Sequence, residues 1–179
     1  SLQFLNYILL SVFFQWGVSL HELEFERIRR GEIRLRDKLP FLKDFLRKGG
    51  RQAFKDYLFF PLITLPVAPV VLAGNLGANL MRNLWSSTVI FCGHFTQDAE
   101  TFNEKDCENE SKGHRYLRQL TGSPNFTGSK WVHLLSGHLS YQIEHHVFPD
   151  LPAHRYPEIS DKVQAVCRKH GIGYNTGSF

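Results

Sequence analysis

Apolar residues along the chain gather in two blocks, Leu2–Leu20 and Tyr57–Phe95, with strongly polar sequence between and after them. The first block is interrupted by Gln3, Asn6 and Gln15. Its longest apolar run is about half of the roughly 20 residues that a bilayer crossing needs. It fits a tilted span, a re-entrant piece or an interfacial helix. From His21 to Asp56 the chain is densely charged, Arg and Lys outnumbering Asp and Glu. There Phe41, Leu42, Phe45 and Leu46 recur at the spacing of one helical face, beside Lys43, Arg47 and Lys48. Two readings suit that face: a helix lying on an anionic leaflet, or an amphipathic helix packed on protein. Within the second block Gly74-Asn75-Leu76-Gly77 predicts a turn between two short spans, about 57–73 and 77–94. The latter carries Asn79, Arg82 and Asn83, and an arginine on a membrane helix usually faces protein or a polar cavity.

Past the second block, Gln97–Ser129 is polar and reads largely as loop, with a short helix near His114–Leu120. Trp131–Phe148 is helical in pattern and is broken by Pro149 and Pro152. Pro157 opens a further helix with Glu158 in its first turn, Arg168, Lys169 and His170 in its last, and Gly171 as stop. Ile159, Val163 and Val166 give that helix its buried stripe. The expected fold is all-α: interfacial and cytoplasmic helices over 1–56, a transmembrane helical hairpin over 57–94, and a helical cap over 95–179. A hairpin returns the chain to its starting side, and the basic segment before it makes that side cytoplasmic.

A mean hydropathy of −0.25 excludes a plain bundle of membrane spans. The net charge of +4 suits an anionic membrane surface or head group and is too scattered for nucleic acid. Cys92, Cys107 and Cys167 are odd in number and lack paired spacing, which points away from a disulfide framework and toward a reducing compartment. The sequons at Asn109 and Asn125 then carry no meaning. The chain opens inside an apolar stretch without Met or a basic leader, so a truncated chain is expected.

Histidine is the residue that changes the picture. There are nine, and His133, His138, His145 and His146 crowd into one short stretch. On a continuous helix His138, Gln142, His145 and His146 share one face, and the adjacent pair projects about 100° apart. Neutral imidazole is a common ligand for zinc, iron and copper, and the lack of a thiolate partner argues against a Cys-rich structural zinc site. Glu144 and Asp150 are placed to supply carboxylate support. His114, His154 and His170 read as surface or helix-end residues, and His21 stands alone.

Gln142-Ile143-Glu144-His145-His146-Val147-Phe148-Pro149 resembles the Q-x-x-H-H third histidine box of membrane fatty-acid desaturases. The match extends through Gly137–Tyr141 and through Asp150–Tyr156, and Cys92-Gly93-His94-Phe95 stands where this family ends its last membrane helix with a ligand histidine. The resemblance covers essentially the whole chain and is closest to the bacterial acyl-CoA desaturase-like branch. It implies a non-haem site of two iron ions on the cytoplasmic side of a multi-pass membrane protein, with dioxygen as co-substrate. His145 and His146 take paired ligand positions, His94 another, and Gln142 falls where other members have His or Gln. Where many members carry Asn four residues before His94, this chain has Ile90. His138 lies beside the pattern without belonging to it. Implied partners are a fatty acyl-CoA or acyl-lipid substrate, membrane lipids, and an electron donor such as a reductase with ferredoxin or a cytochrome b5-like protein.

Trp85 and Trp131 are candidate walls of an acyl tunnel, and Arg155 a candidate contact for a substrate phosphate. The family's two earlier histidine boxes do not precede His94, so this chain by itself is expected to be inactive. The alternatives are a fatty acyl hydroxylase or acetylenase of the same superfamily, a non-catalytic metal-binding membrane protein, and a simple zinc site.

Overall fold

The computed structural model describes residues 2–96, 99–103 and 107–179, with side chains from residue 4 onward. Part of the polar stretch read as loop, Gln97, Asp98 and Glu104–Asp106, lies outside the described residues. Helix accounts for 71% and strand for 4%, so the structure is mostly helical, as expected. The chain divides into two compact units, residues 1–87 and 88–179.

In the first unit, helices α1 (Leu2–Val12) and α2 (Phe14–His21) meet at a 104° bend. The short α3 (Phe25–Arg29) leads to α4 (Leu39–Phe54), which a single π-helical turn joins to α5 (Phe60–Ile63). The Phe41–Phe45 face of α4 packs on protein, the Phe45 ring meeting Trp16 edge-on at 5.6 Å. Gly49 allows this approach, because a Cβ there would stand 2.8 Å from the Trp16 ring.

Helix α6 (Ala68–His94) runs unbroken through Gly74–Gly77, where a hairpin turn was expected. Glycine and asparagine only weakly disfavour a helix, and tertiary partners override that preference. Asn75 donates to the Asp56 carbonyl, and Asn79 donates to the Tyr57 hydroxyl at 2.8 Å. The real break is earlier, at Thr64, which leaves helical geometry at φ −113° and ψ 32° before a 3-10 turn over Leu65–Val67, and the chain bends there by 108°. Among the described residues no single helix is long and apolar enough to cross a membrane, although the two bent pairs together meet that test by length and composition.

Several polar residues of these apolar helices find partners within the unit. Buried Asn83 donates to the Val12 carbonyl at 2.7 Å, and Ser87 donates to Ser11 at 3.1 Å. Arg82 borders a cleft that Asn79 and Asn83 also line. Many large apolar side chains nevertheless stay exposed, among them Phe4, Leu9, Ile63, Leu65, Val70 and Met81.

The second unit begins with the last turns of α6. It continues with α7 (Lys112–Thr121), β1 (Asn125–Thr127), α8 (Lys130–Leu135), α9 (Gln142–Val147), α10 (Tyr156–His170) and β2 (Thr176–Ser178). Helix α7 realises the expected short helix, with the Ser111 hydroxyl accepting from the His114 amide. Helix α10 has its expected ends, with Pro157 in the first turn and Gly171 closing it at φ +64°, but the expected buried stripe fails at Val166, which is 55% exposed, while the neighbouring Cys167 is buried.

Within this mostly helical structure β1 and β2 also form a short parallel pair, in the register Asn125↔Thr176, which three-residue strands leave no periodicity to announce. A further expectation fails in this unit. The continuous helix over Trp131–Phe148 is two short helices, since Gly137 and His138 adopt left-handed conformations at φ +62° and +61°. The core of this unit is small: Phe126, Ile143, Tyr156 and Cys167 are buried around α9.

Candidate metal centre

Helix α9 has only six residues, about a turn and a half, too few to hold an orientation alone. Its inner face is buried at Gln142, Ile143 and Glu144. The amide N–H of Ile143 donates to Asn125 Oδ1 at 2.8 Å, tying α9 to β1. Gln142 and His146, four residues apart, then project on one side, toward the end of α6.

There they meet His94. The Nε2 atoms of His94 and His146 are 3.1 Å apart, and Gln142 Nε2 lies 3.2 Å from the first and 3.1 Å from the second. Gly93 makes room, since a Cβ there would press on the Gln142 side chain at 3.2 Å. His94 Nδ1 lies 3.1 Å from the carbonyl of Ile90. A carbonyl only accepts, so Nδ1 carries the proton and Nε2 presents its lone pair to the site. Ile90 thus orients the His94 ring through its backbone carbonyl. His145 has its Nδ1 3.1 Å from the hydroxyl of buried Tyr156, and its ring centre lies 5.5 Å from that of His146.

Burial, then His94 and His145, lowers the His146 imidazole to about 4. Burial, then His94, lowers that of His145. Both rings are therefore neutral near pH 7, as metal binding requires. A cleft of about 490 Å³ opens beside His146, bordered by Lys112, Arg115, Gln119 and Asp150.

Other predicted site residues lie apart from this cluster. His138 leaves the α9 face because the left-handed turn redirects it, and its buried Nδ1 lacks a partner. His133 braces the same turn, its Nδ1 2.7 Å from the Ser140 hydroxyl. Trp131 is 70% exposed. Arg155 is exposed and pairs with Glu158 at 2.9 Å. Trp85 belongs to the first unit. Glu144 faces away from the imidazoles, its carboxylate accepting from Asn125 Nδ2 at 2.9 Å and the Tyr174 hydroxyl at 2.7 Å. Sequence reading missed Tyr156 and Tyr174 as supports and noticed Asn125 only as a sequon. Buried and bonded, Asn125 is closed to a glycan.

A metal ion bound by two imidazole nitrogens at roughly 2.1 Å holds those nitrogens about 3.0–3.4 Å apart. The His94–His146 separation fits that requirement, with Gln142 as a third polar group. Among the described residues no three His, Cys, Asp or Glu side chains gather as a metal-holding group. The donor set fits part of a coordination shell.

A histidine pair joining a helix end to a Q-x-x-H-H helix defines the class, and comparison places it: the chain belongs to the fatty acid desaturase family, whose model matches residues 2–178. It is 45% identical over 175 residues to the NADPH-dependent stearoyl-CoA 9-desaturase of Mycobacterium tuberculosis, an overlap of 96% of this chain and 41% of that protein. It is 41% identical over 125 residues to fatty acid desaturase 3 of Homo sapiens, covering 69% of this chain and 26% of the human protein. The chain thus spans less than half the length of these relatives. No solved structure matches it.

Proposed function

We propose that this chain forms part of an oxygen-dependent membrane desaturase that introduces a double bond into a fatty acyl chain carried as a CoA thioester. The observation that carries this reading is the convergence of His94, His146 and Gln142, in a chain of the desaturase family. The mycobacterial relative's name, a stearoyl-CoA 9-desaturase, supports the acyl-CoA substrate.

His94, His146 and Gln142 would hold one side of a non-haem di-iron centre, with His145 available as a further ligand. Other donors come from polypeptide outside these residues. When bound, the iron pair supplies, with dioxygen, the oxidising power to remove hydrogen from an unactivated methylene pair, which side chains alone lack. In balance, CH2–CH2, O2, two electrons and two protons give CH=CH and two waters. The electrons come from a reductase with a ferredoxin or cytochrome partner. Within the chain, the proton on His94 Nδ1 keeps Nε2 open to the metal. Burial keeps His145 and His146 neutral, and the short α9 holds Gln142 and His146 side by side.

Exposed apolar side chains on α1, α5 and α6 support placement in a bilayer. Residues 95–179 form the metal-bearing cap, and the basic segment 27–55 supports a cytoplasmic position for it. Expression of the holoprotein in a desaturase-deficient host, with analysis of membrane acyl chains, tests the activity. A new unsaturated acyl species that disappears with His94→Ala is expected. Unchanged acyl composition with iron-loaded protein would overturn the assignment.

A further inference from the structure

Glu144 is fully buried, and among the described residues its carboxylate accepts hydrogen bonds from two neutral side chains, Asn125 and Tyr174. Burying a carboxylate is costly, and an apolar side chain of similar size would stabilise the fold more cheaply. Its two partners come from distant places in the chain. Asn125 on β1 donates to one carboxylate oxygen, and Tyr174, just before β2, donates to the other. Asn125 Nδ2 also donates to the Tyr174 oxygen at 2.7 Å. Tyr174 spends its single proton on Glu144, so the Ser160 hydroxyl on α10, 3.0 Å away, donates to Tyr174. Asn125 uses its remaining atom, Oδ1, on the backbone of α9.

Helical residues turn by about 100° each, so Glu144 projects opposite the Gln142–His146 edge. Fixing Glu144 therefore fixes the rotation of α9 about its axis, and with it the direction of His146. We propose that Asn125, Glu144 and Tyr174 are positioning residues for the metal site, a buried polar key that sets the rotation of the histidine-bearing helix. The key rests on the metal-site reading above. It also gives the C-terminal strand a role at the centre: Tyr174 joins β2's approach to α9 without touching a ligand. Hydrophobic packing alone would leave that rotation poorly set, because α9 offers only Ile143 as a fully buried apolar anchor.

The test is a cobalt(II) titration of iron-stripped holoprotein, read by the visible ligand-field spectrum well below the unfolding temperature. Wild type should bind with a nitrogen-rich spectrum; failure to bind would count against the metal-site reading itself. Glu144→Gln places an amide donor against a donor and should weaken binding about 10-fold, with an altered spectrum. The reciprocal pair Asn125→Asp with Glu144→Gln restores the broken contact with inverted polarity and should recover most of that loss. Tyr174→Phe, which removes one hydroxyl and keeps the ring, should shift the spectrum even if Glu144→Gln does not fold. Wild-type cobalt affinity and spectrum in Tyr174→Phe or Glu144→Gln would overturn the proposal. So would a double variant that regains thermal stability without regaining metal affinity.

Discussion

His94 and His146 stand 52 residues apart in sequence, yet their Nε2 atoms lie 3.1 Å from each other, with the Gln142 amide against both. Two imidazole lone pairs directed at one point repel unless a proton or a cation lies between them. The amide of Gln142 donates toward both rings in the structure, and a metal ion would satisfy them more fully. That separation sets what each variant should do.

Gly93 is the simplest place to disturb the cluster from outside. Alanine in place of glycine favours a helix by about 0.8–1 kcal/mol. Its Cβ would, however, press on Gln142 at 3.2 Å. Gly93→Ala should therefore melt no lower than wild type while binding cobalt(II) several-fold more weakly, and Gly93→Val more weakly still. Cobalt titration beside thermal melting checks this; unchanged affinity in both variants would refute it.

The metal-free protein should lose stability in mild acid. His146 is lowered to about 4 by burial and then by His94 and His145, against an ordinary value of 6.5. Between those two values the unfolded chain binds more protons at this position than the folded one. The stabilisation is therefore complete above pH 6.5 and is lost as the pH falls toward 4. Melting temperatures across this range should fall with pH, and His146→Ala should flatten the slope. A melting temperature that rises between pH 6.5 and 4 would contradict the burial of this ring.

In the first unit the sensitive position is Asn83. Alanine there strands the Val12 carbonyl, which accepts from Asn83 at 2.7 Å. An unsatisfied buried polar group costs about 1–3 kcal/mol. Unfolding of Asn83→Ala in detergent should show a loss of that size. A loss below about 0.5 kcal/mol would show that the contact contributes little.

Much of this was legible before the structure. The helix from Pro157 to Gly171 is written in local capping signals, and α9 is recognisable from Gln142, His145 and His146 themselves. His94 was assigned through the resemblance, and the structure brings it to His146. What failed was longer-range. Gly74–Gly77 looked like a turn because the partners of Asn75 and Asn79, Asp56 and Tyr57, lie about 20 residues earlier and carry no local signal. The 3.6-residue spacing extends the histidine face to His138 because nothing in it reveals a left-handed residue beside Gly137. Tyr174 gave no signal at all: its role exists only where β2 pairs with β1.

The most direct measurement is the iron content of the purified holoprotein, determined by mass spectrometry for wild type and for His146→Ala. Two irons per polypeptide in wild type, with loss in the variant while the protein remains folded, is the predicted result. Absence of iron from active wild-type protein, zinc in its place, or full iron retention in folded His146→Ala would contradict an iron centre built on His94 and His146.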